Sequence, residues 1–302
     1  METKYLKSRL ILLFYVIIIL EMSDNMLVYK NTFDNIMTAG INFPVEDQYY
    51  ATDTEVIVAD GITRDPIGIS DFSKSNIKEA LMKYPRPSGG ELAAKEVCDS
   101  FSISTGSLLD RLIKANESVK ILNEKHILEC DYLENDYYGT VASCISIDND
   151  ILNYAYICDC GVIVYDKNGN VKFKTDDDKE LYSDPYIDMI GIPWYLPEAR
   201  VKVRSEFRNN INNIVDGKCV SYGALTGEES AVNFIKYGQV KLDDGDIIIV
   251  YSDGFSYYLF DKEFISHIID FSRDEFKKYV EAKSREDYEK YGKEKTLVMY
   301  RK

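Results

Sequence analysis

The residues best placed for chemistry are aspartates at the ends of apolar runs. Residues 54–61 read TEVIVADG, so that Val56, Ile57, Val58 and Ala59 run into Asp60-Gly61. The construction returns downstream, where residues 247–252 lead into Asp253-Gly254, and in a looser copy where residues 151–158 lead into Asp159-Cys160-Gly161. A short apolar run bounded by turn residues reads as a buried strand. Each such strand delivers its last carboxylate to the rim of a sheet, and the glycine that follows can turn sharply and expose a carbonyl. Three carboxylates gathered this way, with carbonyls and water completing the shell, suit a hard divalent cation. The two histidines, His126 and His267, lie inside amphipathic helical patterns and supply neither a Ser–His–Asp mechanism nor a His-rich zinc site. The chemistry on offer is that of carboxylates and metal.

These aspartates need elements to hold them. At 302 residues and 45% hydrophobic, the chain can build a sizeable core as one large domain or two small ones. Its net charge of −15, from 36 basic and 51 acidic residues, argues against the basic face that a nucleic-acid binder needs. The six cysteines are scattered, and Cys158-x-Cys160 lacks the C-x-x-C spacing of zinc and redox sites; buried free thiols in a reducing compartment are expected. At the N-terminus Lys4, Lys7 and Arg9 precede an apolar run over 10–20, shorter than the roughly 20 residues of a spanning helix. It reads as a weak anchor, a leader, or an extension upstream of a start at Met22 or Met26. The last is favoured, because the globular pattern begins at Met26-Leu-Val-Tyr. The expected organisation is a hydrophobic leader or extension over 1–25 and one domain over 26–302, cytoplasmic unless residues 10–20 tether it to a membrane.

Along the domain, 48–51 and 54–59 form a hairpin turning at Thr52-Asp53. Residues 62–87, with Thr63, Arg64, Asp65, Pro66, Pro85, Arg86 and Pro87, form an ordered surface loop beside Asp60. Ser88-Gly-Gly-Glu91 opens a helix as a capping box, and a second helix covers 107–124; both offer an apolar stripe to a sheet. Strands follow at 139–147, 151–158, 161–166 and 171–174, separated by Asp- and Asn-rich turns. Residues 176–197 make an acidic loop holding Trp194, a packing aromatic like Tyr257 and Tyr258. Helices are expected over 198–214, 228–235, 263–269 and 273–291, and a closing strand over 296–300. Strands joined by tight turns, with helices in separate blocks, predict an α+β layered domain of antiparallel sheets covered by helices.

In their order these motifs resemble the PP2C or PPM family of metal-dependent serine/threonine protein phosphatases. The resemblance is carried by the acidic pair Glu46-Asp47, the strand ending in Asp60-Gly61, Gly89-Gly90 opening a helix, and Gly139-Thr140 opening a strand. It continues through Cys158-Asp159-Cys160, where the family has a Gly-Asp-Ser turn, Ser252-Asp253-Gly254, and the segment before Thr296. Leu225-Thr-Gly-Glu228 and Leu242-Asp-Asp-Gly-Asp246 look like the family's approach to its Ser-Asp-Gly strand, so the likeness spans about 40–300. It implies an αββα sandwich of two antiparallel sheets flanked by helices, with a binuclear Mg²⁺ or Mn²⁺ centre at one end and a third, looser ion. It further implies that Asp60 bridges the metals, Gly61 ligates through its carbonyl, and Asp253 binds the second metal. Glu46 and Asp47 would hold metal-bound waters, and Asp159 would serve the third ion. The implied reaction is attack of a metal-activated water on a phosphoserine, phosphothreonine or related phosphomonoester.

The chain departs from that pattern in several places. Asp60-Gly-Ile-Thr-Arg-Asp65 replaces the family's Asp-Gly-His-Gly-Gly, which removes the histidine general acid. Asn42 stands where the family has a phosphate-binding arginine, and Lys293 where it has a metal-binding aspartate. A one-residue slip hands that last role to Glu294, and Arg64 or Arg86 can supply the missing charge for phosphate. The alternative expectation is a catalytically silent relative that binds a partner through the same rim. Asp60-Gly-Ile-Thr63 also resembles the haloacid dehalogenase nucleophile motif, but that motif's first aspartate would be Val58.

Overall fold

Two five-stranded antiparallel sheets stack face to face. One runs in the order β1 (Met26–Asn31), β12 (Lys295–Arg301), β11 (Ile247–Tyr251), β6 (Gly161–Tyr165), β7 (Val171–Lys174). The other runs β10 (Lys236–Lys241), β5 (Ile151–Ile157), β4 (Thr140–Asp148), β3 (Glu55–Gly61), β2 (Gln48–Ala51). This computed structural model describes residues 25–31, 44–64, 81–178, 191–192, 196–270 and 272–302; the run over 10–20, Asn42, Asp65 and Trp194 lie outside them.

The two-residue period of a strand sorts the side chains into layers. Ile248 and Val250 of β11 meet Val56 and Val58 of β3, Ile145 of β4 and Val162 and Val164 of β6 in the core between the sheets. The outer face of the second sheet, with Ile57, Ala59, Cys144, Ala155 and Ile157, is covered by α1 (Gly89–Ile103) and α2 (Leu108–His126) through Ala94, Val97, Phe101, Leu112 and Val119. α3 (Pro197–Glu206) and a two-stranded ribbon of β8 (Ile214–Val215) and β9 (Lys218–Cys219) follow in the chain. The outer face of the first sheet, with Ile163, Ile249, Tyr251, Leu297 and Met299, is covered by α4 (Lys262–Asp270) and α5 (Arg273–Glu286) through Phe264, Ile268, Phe276 and Val280. The result is the expected αββα sandwich. Among the described residues no helix is long and apolar enough to cross a membrane.

The hairpin turns at Thr52, whose N–H donates to the Glu55 carbonyl at 2.7 Å. Ser88 caps α1 by accepting from the Glu91 amide, while the reciprocal capping box forms at α2, between Ser107 and Asp110. Three helices differ from expectation. The one over 198–214 stops at Glu206, because Asn209 takes a φ of 53° and its amide is drawn to the Ala224 carbonyl and Glu228. The one over 273–291 breaks at Asp287, which caps a short α6 (Tyr288–Tyr291). The one over 228–235 is a tight 3₁₀ segment, Glu229–Phe234. Strand β10 is absent from the sequence reading: its alternating half-buried and exposed residues give an edge strand no apolar signature. All six cysteines are free, with Cys130 and Cys219 only partly buried.

Candidate functional site

Strand register carries the predicted acids to one end of the sandwich. Asp60 pairs with Val141 at the start of β4, and Gln48 of β2 pairs with Ala59, so Glu46 and Asp47 leave β2 beside Asp60. Ile157, the last residue of β5, pairs with Ala142, which brings Asp159 to the same end, on the short connection that crosses to Gly161 of the other sheet. Tyr251 pairs with both Gly161 and Leu297, so Asp253 emerges from β11 where Glu294 enters β12. Five strands from two sheets thus deliver their acids to a common rim.

Close backbone packing fixes this rim. A Cβ at Gly61 would lie 2.6 Å from the Gly90 carbonyl and 2.8 Å from the Glu46 carbonyl, so β3, the acidic pair and the first turn of α1 meet backbone to backbone. The Glu46 carboxylate rests at that helix N-terminus, where the helix dipole favours an anion. It accepts from the hydroxyls of Ser88, Thr63 and, at 3.0 Å, Tyr84. Asp47 accepts from Ser252 Oγ at 2.7 Å, and its backbone carbonyl accepts from Lys30 Nζ. Glu294 lies with one carboxylate oxygen on the Glu46 N–H and the other on the Asp47 N–H, each at 2.9 Å. The Asp60 carbonyl accepts from Thr140 Oγ1 at 2.6 Å.

The electrostatics follow from this convergence. Burial pushes the Asp60 carboxyl well above the usual aspartate range, and the charges of Asp47, Asp253, Asp159 and Glu294 push it further. Glu294 is likewise driven well above its ordinary value by burial and then by Asp47. Asp47 and Glu46 are raised by burial, with their hydroxyl donors working the other way. The Cys160 thiol is also raised, by burial and by the surrounding Asp60, Asp159, Asp47 and Asp253. Like charges gathered at a buried to half-buried rim repel until a cation compensates them, and oxygen-only donors are the set that hard divalent ions take. In chemistry these residues fit such an ion. Among the described residues, no group of three or more His, Cys, Asp or Glu side chains is drawn together tightly enough to hold one as it stands. Several face donors of their own: Glu294 the two amides, Asp47 the Ser252 hydroxyl, and Asp253 the Lys293 ammonium at 3.7 Å.

The remaining predicted residues are placed differently. Arg64 is buried, gives Nη2 to the Glu134 carbonyl, and lies 4.9 Å over the Tyr138 ring. Arg86 is exposed on the segment leading to α1. Tyr84, Ser252 and Lys30 were not singled out as site residues from sequence. Ser252 carried a signal, its place directly before Asp253; Lys30 and Tyr84 carried none.

No family model matches the sequence, and neither does any curated protein. Solved structures do. The Mycobacterium tuberculosis serine/threonine phosphatase PstP/Ppp aligns over 91% of this chain and 97% of its own, at 17% identity and a TM-score of 0.56. The catalytic domain of PstP in complex with two manganese ions aligns over 91% and 96%, again at 17% and 0.56. The PPM Ser-Thr phosphatase MsPP of Mycobacterium smegmatis, in complex with cacodylate, aligns over 93% and 99%, at 13% and 0.50. Likeness at such identities is likeness of fold, and the sandwich described above is that of the PP2C/PPM-type serine/threonine phosphatases, in a divergent sequence.

Proposed function

We propose that the chain is a divalent-metal-dependent phosphomonoester hydrolase, a protein serine/threonine phosphatase whose catalytic domain spans 26–302. The observation that carries this reading is the convergence of acids from five strand ends on one rim, with the Asp60 carboxyl raised by burial and by the charges of Asp47, Asp253, Asp159 and Glu294. The residues that would hold Mg²⁺ or Mn²⁺ are Asp60, the Gly61 carbonyl, Asp253 and, for a further ion, Asp159. When bound, the ions supply an acidified water and positive charge for the phosphoryl oxygens. Glu46 and Asp47 orient solvent at the rim, and their own carboxylates are held by Thr63, Tyr84, Ser88 and Ser252. Glu294 fixes the backbone of that acidic pair. Arg86, exposed on the segment leading to α1, is the candidate to meet an incoming phosphate, while Arg64 is buried with its Nη2 on the Glu134 carbonyl.

Hydrolysis of p-nitrophenyl phosphate tests the reading. Activity should require Mn²⁺ or Mg²⁺, vanish with a chelator, and fall by about 10²-fold or more in Asp60→Asn. Phosphoserine and phosphothreonine peptides should be turned over in preference to phosphotyrosine. A competing reading, a catalytically silent relative that binds a partner at this rim, is favoured by the Lys293–Asp253 pairing. Absence of metal-dependent turnover in a well-folded preparation would decide for it.

A further inference from the structure

Three hydroxyls from separate stretches of the chain close on the buried Glu46 carboxylate. Thr63, just past β3, donates to Oε2, and Ser88, the N-cap of α1, donates to Oε1. Tyr84 joins Ser88 on Oε1 at 3.0 Å. An ionised carboxylate offers about four acceptor positions, two on each oxygen. Ser88 and Tyr84 fill those of Oε1 and Thr63 takes one of Oε2, so among the described residues a single position, on Oε2, is left. Tyr84 has its donor direction fixed from the other side: the Arg64 N–H donates to its oxygen at 2.9 Å, which turns the O–H toward Glu46. Burial, and then the Glu46 charge, hold the phenol well above its usual range, so it stays a donor. Leu81 and Tyr84 are both buried and pin the segment that leads to α1. Ser88 also caps that helix through the Glu91 amide, so removing its hydroxyl would disturb the helix as well. Tyr84 carries no such second duty.

We infer that Tyr84 is a positioning residue for the hydrolysis: by filling Oε1 it leaves Glu46 one acceptor position, and so one way to hold a water at the rim. This deepens, and rests on, the metal-dependent reading above. The phenol touches no reacting group and acts through Glu46. Without its hydroxyl, Oε1 regains a free position and the water has more than one orientation open to it. That costs turnover, which needs the water aligned, and spares substrate binding, which does not.

Tyr84→Phe, which removes one oxygen and keeps the ring, tests this in the full chain. With p-nitrophenyl phosphate and Mn²⁺, kcat should fall about 10- to 100-fold while KM stays within about threefold. Glu46→Gln should also lower kcat, and adding Tyr84→Phe to it should lower kcat no further. Urea unfolding in chelator gives a readout free of turnover: Tyr84→Phe should lower the midpoint of the wild type more than that of Glu46→Gln. A wild-type kcat in Tyr84→Phe, a loss carried by KM, losses that add in either measurement, or a Tyr84→Phe chain that no longer folds in chelator each overturns the assignment and leaves the metal-dependent reading standing. A wild type without metal-dependent turnover overturns both.

Discussion

Ser252 touches none of the atoms that would react, yet its hydroxyl joins three parts of the rim. It donates to Asp47 at 2.7 Å, accepts from the Thr296 N–H at 2.9 Å, and precedes Asp253 directly. A residue that orients the acids of a metal centre commonly affects metal affinity or activity by about 10–100-fold. Ser252→Ala is therefore expected to weaken Mn²⁺ affinity or turnover by that factor while the melting temperature in chelator moves little. A variant that simply unfolds would show that the hydroxyl is scaffold. Away from the rim, Asp136 and Arg208 are both buried and joined by two hydrogen bonds of 2.7 and 2.9 Å. Burial alone would raise the Asp136 carboxyl, but the Arg208 charge and its hydrogen bonds reverse the sign and hold it below the usual range. A depressed folded-state value means the unfolded chain binds the proton first as the solution is acidified. The stabilisation is complete above an ordinary aspartate pKa of about 3.9 and is lost as pH falls through the lower folded value. Asp136→Asn strands a buried guanidinium and should cost about 3–5 kcal/mol near neutrality. Chemical denaturation at pH 7 and pH 3 should show the difference shrinking in acid.

The elements that place the rim were the legible part of the sequence, for a physical reason. Strands β3, β6 and β11 are buried on both faces, and such strands write themselves as unbroken apolar runs that end where the chain must turn. Asp60 and Asp253 were visible because they stand at those ends. Edge strand β10 was not, since half its residues face water. Nor was the end of α3, which is set by what Asn209 and Arg208 meet 15 to 72 residues away. The roles of Glu294 and Lys293 were equally hidden: adjacent in sequence, one turns to backbone amides and the other to Asp253. Gly61 shows how tightly elements are joined. Its missing side chain lets β3 lie against Gly90 of α1 and the backbone of Glu46, with a Cβ only 2.6 Å from atoms of the chain that cannot swing aside. Gly61→Ala should destabilise the fold by roughly 1–3 kcal/mol, the usual cost of overpacking, and should weaken Mn²⁺ binding as the Glu46 segment is displaced. Wild-type stability and affinity in that variant would mean the three backbones have room to part.

At the scale of the whole molecule, charge sets what can approach. The chain carries −15 overall, yet its proposed substrate is itself an anion. Beyond the first few ångströms a phosphopeptide meets a repulsive field, and salt shortens the reach of that field, to about 10 Å at 0.1 M. For a phosphoserine peptide with neutral or acidic flanks, kcat/KM should therefore rise as ionic strength goes from about 10 to 150 mM, by a few-fold. A peptide with lysine or arginine on both sides of the phosphoserine carries its own counter-charge to the acidic surface. Its kcat/KM should start higher and fall over the same range. The Michaelis constant, rather than the turnover number, should carry most of both effects, because screening acts on encounter and not on groups already in contact. Salt slopes of opposite sign for the two peptides would show that the acidic surface selects basic phosphosites; slopes of the same sign would show that the long-range field of the chain has no part in choosing them.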